Sequence, residues 1–159
     1  MLASWSLSIA LIVLAAAHIG EETLAGFTRF FNVTWFAGNE TCPVGRAKAL
    51  WIDKIGLFAI LALLALGGAL NSELWILIAL GIITADVIQH FAFSIGTRGY
   101  TPGVATSVLY LGYILYFFSR PGLPVGWLAW LSFAVGLLFI ASNYVMAAHK
   151  VRLGLCRPA

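Results

Sequence analysis

Residues 74–97 read LWILIALGIITADVIQHFAFSIGT and contain one charged side chain, that of Asp86. A helix rises about 1.5 Å per residue, so a helix of this length crosses the roughly 30 Å hydrocarbon core of a bilayer. Further apolar runs lie at about 4–27, 47–70, 102–119 and 123–147. We therefore predict an all-α fold, a polytopic membrane bundle of five transmembrane helices that forms a single integral membrane domain over residues 1–159.

The amino-acid composition indicates the same class of protein. Of the 159 residues, 62% are hydrophobic and 9% are charged, whereas a soluble domain carries about 25% charged residues. A disordered chain would need far more charge and polarity. Nine lysines and arginines give a net charge of +3 and do not form one basic stripe, so we expect no nucleic-acid partner.

The positive charges predict the orientation of the bundle, because cytoplasmic loops are enriched in lysine and arginine. With five spans, Arg120 falls alone on one side of the membrane. The other side receives Arg29, Arg46, Lys48, Lys54, Arg98, Lys150, Arg152 and Arg157. We therefore expect the N-terminus outside and the C-terminus in the cytoplasm, in an integral protein of the cytoplasmic membrane of a prokaryote.

Two further expectations concern the surroundings of the first span. The aromatic segment 27–36, FTRFFNVTWF, is too short to cross a bilayer. It is either an amphipathic stretch in the plane of the cytoplasmic interface or a loop packed against the bundle. Small residues let helices approach closely in membranes, and we expect Gly20, Gly26 and Gly56 to serve in this way.

Five ionisable side chains lie inside predicted spans, where each costs about 2.5–3.5 kcal/mol on insertion scales. They are His18, Glu21, Glu22, Asp86 and His90. The first three have the spacing i, i+3 and i+4 and share one face of the first span, and the last two share one face of the third. Ionisable groups inside a membrane are functional candidates by default, so we predict one polar site formed by these two faces.

Depth along the spans is a second reason to join the two faces. Counted from the predicted cytoplasmic ends, both faces lie roughly 8–16 Å deep. On the same count, Asp53 of the second span and Asn143 of the fifth lie at roughly 9 and 6 Å. We therefore expect a polar pocket in the cytoplasmic leaflet among the first, second, third and fifth spans.

Three short motifs make the chain recognisable. Residues 18–22 (HIGEE) read HxxEE, residues 100–103 (YTPG) read YxPG, and residues 86–90 (DVIQH) read DxxxH. With these motifs in this order, the chain resembles the HXXEE-domain family, a group of small multi-span membrane proteins of undefined activity that have long been suspected to be enzymes. The family pattern has NxxxH, so Asp86 is a departure that adds a carboxylate and could change a ligand set.

One interpretation of the polar site is a divalent metal centre. Histidine, glutamate and aspartate are ligands of ions such as zinc, iron and manganese, and catalytic zinc typically has three protein ligands and a water. We expect His18, Glu22 and His90 to be the ligands. Glu21 and Asp86 are expected just behind them, each bonded to a ligand group, to orient a histidine or to act as a general base. This interpretation predicts a metal-dependent intramembrane enzyme for a lipid or another hydrophobic substrate.

Other interpretations of the same residues remain open. A buried glutamate can hold a proton near neutrality, which would suit a metal-free acid–base isomerase or cyclase of a lipid or isoprenoid. Chains of acidic residues and histidines also form proton relays, as in a small transporter. The groups could instead make hydrogen bonds that join helices, for example Glu21 with His90.

Four more polar residues are candidates near the expected pocket. Tyr100 can reach inward as a donor and joins Glu21, Glu22 and Asp86 as a candidate catalytic group. Arg98 could bind a lipid phosphate or a substrate carboxylate at the interface, or it could be an ordinary positive anchor. Asp53 and Asn143 complete the candidate substrate-binding set. The expected partners are membrane lipids and a hydrophobic small-molecule substrate with a polar head.

Overall fold

The structure is a computed structural model that describes residues 2–36, 46–120 and 126–154. Within these ranges, the side chains of residues 2–4, 32, 34–36, 46–57, 129, 143, 146 and 147 lie outside the description. The described residues form α1 (Leu2–Ala25), α2 (Phe27–Phe36), α3 (Arg46–Ala69), α4 (Glu73–Thr97), α5 (Val104–Ser119) and α6 (Trp127–Arg152). They contain no strand, and the all-α class that the sequence predicts is confirmed.

The ends of two helices differ from the predicted spans. The span predicted from 102 begins as a helix only at Val104, because Gly103 adopts a left-handed conformation with φ of 91°. The span predicted over 123–147 is helical from Trp127 to Arg152. Its last turn carries basic side chains, which interact favourably with the negative end of the helix dipole. Apolarity alone therefore predicts nearly the right length for α6 but places both of its ends too early in the chain.

Helix α4 lies at the centre of the fold and packs against α1, α3, α5 and α6. The side chains with no exposed surface in this core include Leu11 of α1, Leu64 of α3, Ile76 and Leu80 of α4, and Phe117 of α5. Burying such a side chain contributes about 1.5–3 kcal/mol relative to leaving it in water. The central position of α4 brings both of its ionisable residues next to α1 and α5.

Glycine permits a close approach of two helices where α4 meets α6. A β-carbon on Gly81 of α4 would lie 2.7 Å from the β-carbon of Ser132 on α6. A β-carbon on Gly136 of α6 would lie 2.9 Å from that of Ala85. Both distances are shorter than van der Waals contact, so this pair of helices requires glycine at the two crossing points.

The glycines expected to serve this purpose on the first span do not do so. Among the described residues, a β-carbon on Gly20 or Gly26 would meet no atom within 4 Å, so that expectation is wrong for both. Gly26 instead breaks the helix, because its φ of 73° is left-handed and favours glycine. The third glycine of the expectation, Gly56, lies outside the described side chains.

The aromatic segment after this break is a helix and not a loop. Helix α2 begins at Phe27, directly after Gly26, and the backbone N–H of Phe30 donates to the Gly26 carbonyl at 3.0 Å. Phe31 is buried, and its ring lies 6.3 Å from that of Phe93 on α4 and 5.2 Å from that of Tyr144 on α6. Aromatic packing therefore holds α2 against the bundle.

Two segments among the described residues are long and apolar enough to cross a membrane by length and composition. They are Trp5–Ala25, which forms most of α1, and Glu73–Thr97, which is α4. Shorter apolar segments lie at Phe58–Ala69, Val104–Ser119 and Trp130–Ser142. These two long segments carry the five ionisable residues of the predicted polar site, which are His18, Glu21, Glu22, Asp86 and His90.

Candidate metal centre

Two faces with i, i+4 spacing meet between α1 and α4. The Nε2 atom of His18 lies 3.0 Å from Asp86 Oδ2 and 3.7 Å from Glu22 Oε1. The Nε2 atom of His90 lies 3.1 Å from Glu22 Oε1 and 3.7 Å from Asp86 Oδ2. Each helix supplies one imidazole and one carboxylate to this group of four side chains, which we call the cluster.

The size of the cluster suits a single metal ion. Ligand bonds of about 2.0–2.1 Å at tetrahedral angles place neighbouring ligand atoms about 3.3–3.4 Å apart. The four nitrogen-to-oxygen distances, between 3.0 and 3.7 Å, bracket this value. Ligand atoms of His18, Asp86 and His90 all lie within 4.8 Å of one another. These three residues could hold a metal ion, and the carboxylate of Glu22 adds a fourth ligand atom.

The ring nitrogens are near the carboxylates but are not aligned with them. Within the described part of the chain, neither His18 Nε2 nor His90 Nε2 makes a hydrogen bond of good geometry, although both atoms are buried. Direction matters as much as distance in a hydrogen bond. The arrangement therefore differs from two simple imidazole–carboxylate pairs.

Burial makes the charge of the cluster important. The side chains of His90, His18, Glu22 and Asp86 are 0%, 8%, 17% and 37% exposed, respectively. Among the described residues, no lysine or arginine forms an ion pair with either carboxylate of the cluster. Two carboxylates beside two buried imidazoles favour positive charge in the cluster, either on a protonated ring or on a bound cation.

Asp86 differs from its expected place. The sequence predicts a position for Asp86 just behind the ligands. In the structure, its Oδ2 atom faces both histidine Nε2 atoms, and Asp86 belongs to the cluster. The reason is helical geometry, because positions 86 and 90 are one turn apart and point to the same side of α4. The residue that departs from the NxxxH pattern is thus a candidate ligand.

Glu21 points away from the cluster and binds the beginning of α5. Its Oε1 atom accepts hydrogen bonds from Tyr100 Oη and from the backbone N–H groups of Gly103 and Ala105, at 2.8, 3.1 and 3.1 Å. Its Oε2 atom accepts from the backbone N–H and the hydroxyl of Thr106, at 2.8 and 2.6 Å. A helix N-terminus favours a negative charge. Glu21 therefore anchors α5 to α1.

Thr106 connects this anchor to the cluster. Its Oγ1 atom lies 2.7 Å from His18 Nδ1, the ring nitrogen that faces away from Asp86 and Glu22. Histidines that bind metals usually donate their second N–H group to a neighbouring acceptor, which holds the ring in place. Glu21 is thus bonded to a group that contacts a cluster histidine, and not to the histidine itself.

His90 is held by packing instead. A β-carbon on Gly103 would lie 2.7 Å from His90 Nδ1 and 2.8 Å from His90 Nε2, so the glycine backbone lies against the ring. On other sides, the rings of Phe27 and His18 have centroids 5.1 and 4.8 Å from that of His90. The hydroxyl of Thr101 donates to the His90 carbonyl at 3.3 Å. The YxPG turn therefore supports both the anchor and the second histidine.

The remaining candidates lie in different places. Tyr100 is exposed and contacts the anchor rather than the cluster, and the hydrogen bond to the Glu21 carboxylate raises the pKa of its phenol. Arg98 is exposed in the left-handed position that ends α4, and none of the described ion pairs joins it to the cluster. The side chains of Asp53 and Asn143 lie outside the description, so their substrate-binding role stays a prediction.

Helix α5 belongs to the site, although the sequence does not predict this. The expected pocket omitted the fourth predicted span, yet this helix supplies Thr106 and Tyr110, whose ring centroid lies 5.6 Å from that of His18. Both residues are uncharged, so hydropathy does not mark them. The YxPG motif was the available signal, because a proline–glycine turn exposes the N–H groups of the helix that follows.

The fold and the cluster define a class of protein, a small helical protein with a histidine–carboxylate site buried between apolar helices. Residues 9–118 match the HXXEE family, which is described as protein of unknown function with HXXEE motif. The chain belongs to this family, and the matched range includes the cluster, the anchor and Thr106. No curated protein and no solved structure matches the chain.

Proposed function

We propose that the protein is an intramembrane enzyme that depends on a divalent metal ion and acts on a lipid or another hydrophobic substrate. The observation that carries this proposal is the convergence of His18, Glu22, Asp86 and His90 within nitrogen-to-oxygen distances of 3.0–3.7 Å. Two nitrogens and two oxygens form a ligand set for zinc, iron or manganese. A bound ion would polarise a substrate oxygen or activate a water molecule, and it would offset the charge of both carboxylates.

The proposed location is the membrane, with α1, α3, α4, α5 and α6 as five spans and α2 at the cytoplasmic interface. Large apolar side chains cover the outside of the bundle, which supports this location because water would solvate them poorly. They include Leu24, Phe58, Ile95, Leu115, Trp130, Leu138 and Val145. The proposed orientation puts the N-terminus outside and the C-terminus in the cytoplasm of a prokaryotic cell, in accordance with the distribution of positive charges.

A groove beside the anchor supports a substrate with a long apolar part. It has a volume of about 320 Å³ and is lined by Ala25, Gly26, Arg29, Phe30, Val33, Tyr100 and Pro102. Its lining is mostly apolar, with one guanidinium and one phenol among the polar groups. A hydrophobic molecule with a polar head could lie here, between α2 and the turn that supports His90. Asp86, which is partly exposed, is the cluster residue that is most open to an approaching molecule.

Metal-free acid–base chemistry is the second candidate function, and the two shortest distances in the cluster favour it. His18 lies 3.0 Å from Asp86 and His90 lies 3.1 Å from Glu22, so a small rotation of each ring would align two pairs, each able to hold and move one proton. Such pairs would serve an isomerase or cyclase that protonates a double bond. This function requires Glu22 in both its acid and its base form, and it requires no metal ion.

Lipid turnover tests the proposed function and separates the two candidates. Purified protein in vesicles of native membrane lipid is stripped with chelator, reloaded with zinc, iron or manganese, and assayed by mass spectrometry of the lipids. We expect one of these ions to restore turnover, and we expect His90→Ala to lower it by at least about 100-fold, because the loss of a residue that merely holds a ligand in place already costs about 10–100-fold. His149→Ala is the matched control, since His149 is exposed near the end of α6.

Two outcomes would contradict the metal-dependent function. Turnover that survives stripping and is lost in Glu22→Gln would favour acid–base chemistry. Turnover that is the same in wild type, His90→Ala and His149→Ala would separate the cluster from any activity.

A further inference from the structure

The hydroxyl of Thr106 is the only side-chain group within hydrogen-bond distance of His18 Nδ1 among the described contacts. It is buried, and it has three neighbours that could share its proton. Glu21 Oε2 lies at 2.6 Å, His18 Nδ1 at 2.7 Å and the Gly103 carbonyl oxygen at 3.2 Å. A threonine hydroxyl has one proton to donate and two lone pairs to accept with.

The proton of this hydroxyl goes to Glu21. The carboxylate oxygen is the nearest of the three neighbours, and hydrogen bonds to an ionised acceptor are shorter and stronger than neutral ones. Glu21 is itself fixed, because its two oxygens also accept three backbone N–H groups at the beginning of α5. With its own proton on Glu21, Thr106 Oγ1 can only accept from His18. The Nδ1 atom of His18 must then carry a proton.

We propose that Thr106 is a positioning residue that, held by Glu21, makes Nε2 the ligand atom of His18. A neutral ring with its proton on Nδ1 has its lone pair on Nε2, the atom that lies 3.0 Å from Asp86 Oδ2 and 3.7 Å from Glu22 Oε1. This inference rests on the proposed metal centre and deepens it. It assigns one task to Glu21 and the beginning of α5, which is to orient His18 as a ligand.

Cation titration of variants tests the positioning role. Thr106→Val keeps the size of the side chain and the backbone N–H bond to Glu21 but removes the hydroxyl, and we expect it to weaken zinc binding by about 10–100-fold. Thr106→Ser restores the hydroxyl and should bind within a few-fold of wild type. Thr84→Val is the matched control, because the hydroxyl of Thr84 donates to the Leu80 carbonyl of its own helix at 2.7 Å and has no hydrogen bond to the cluster among the described contacts. Unfolding midpoints identify any variant whose loss of binding reflects a loss of folding.

Two results of this titration would overturn the proposal. In one, Thr106→Val binds zinc as tightly as wild type. In the other, Thr106→Ser is as weak as Thr106→Val, which would make the side-chain volume the cause rather than the hydroxyl.

A measurement without metal separates this inference from the proposed function. Imidazole ¹⁵N chemical shifts of the metal-free protein, at a pH where the ring is neutral, should report a proton on Nδ1 of His18 in wild type and Thr106→Ser. Thr106→Val should lose this preference. If wild type binds no cation but has this tautomer, the metal-dependent function fails and the positioning role stands. A proton on Nε2 of His18 in wild type would overturn the positioning role whatever the cation titration gives.

Discussion

Replacement of Gly103 by alanine is expected to destabilise the fold and to disrupt the cluster at the same time. Its φ of 91° is strained for any residue with a β-carbon, which costs about 1–2 kcal/mol. The new β-carbon would also lie 2.7 Å from Nδ1 and 2.8 Å from Nε2 of His90, a side chain with no exposed surface. Overpacking of this kind typically costs a further 1–3 kcal/mol, so we expect a total loss of about 2–5 kcal/mol.

The measurement combines denaturant unfolding in detergent with a zinc titration of the folded fraction. We expect weaker zinc binding, because His90 must move away from Glu22 and Asp86 to make room. Gly112→Ala, inside α5, is the matched control, since a β-carbon there would meet no atom of the described residues within 4 Å. Its stability should equal that of wild type or exceed it by up to about 1 kcal/mol. Equal behaviour of the two variants would contradict the close contact between Gly103 and His90.

The neighbouring glutamates are expected to respond differently when each loses its charge. Glu21→Gln should destabilise the protein by about 2–3 kcal/mol, because an amide nitrogen cannot accept the hydrogen bonds that one carboxylate oxygen now receives. If the amide nitrogen replaces Oε1, the Tyr100 hydroxyl and the Gly103 N–H lose their acceptor. If it replaces Oε2, the Thr106 N–H loses its acceptor. Glu22→Gln should change stability little in the absence of metal, since it removes the charge of one of the two carboxylates of the cluster and leaves the hydrogen bonds of the anchor in place. It should nevertheless weaken zinc binding, because Glu22 lies in the cluster.

Thermal unfolding and zinc titration of the two variants separate these effects. Each variant replaces one glutamate by a glutamine of nearly the same shape. The expected pattern is a lower midpoint in Glu21→Gln and weaker zinc affinity at a near-normal midpoint in Glu22→Gln. The opposite pattern would exchange the assigned roles of anchor and ligand. Equal loss of stability in both variants would contradict a separate anchor.

Local periodicity predicted the helices and the faces of the site well. An i, i+4 pair projects from one side of any helix, so HxxEE and DxxxH could be read as two polar faces before any packing was known. The separate aromatic segment that begins at Phe27 also follows from a local signal, because its aromatic run is too short to cross a bilayer. These features depend on neighbours within one or two turns.

The roles of individual residues depended on contacts that periodicity does not contain. Glu21 and Glu22 are adjacent in a motif, and only the position of the α5 terminus, more than 80 residues further along the chain, gives them different partners. Thr106 carries no charge and no helical pattern distinguishes it. Gly20 looked like a packing glycine, whereas Gly81 and Gly136 have that role because α4 crosses α6 there. Such crossings follow from the tertiary packing and not from the local sequence.

The central claim is that one divalent ion binds to His18, Glu22, Asp86 and His90, and the metal content of the purified protein tests it most directly. Wild type, His18→Ala, His90→Ala and His149→Ala are produced with zinc, iron and manganese in the medium, purified without chelator and analysed by mass spectrometry of the elements. We predict about one equivalent of a single metal per chain in wild type and His149→Ala, and less than about a tenth of that in His18→Ala and His90→Ala. Folded wild-type protein without metal, or equal metal in all four proteins, would contradict the claim.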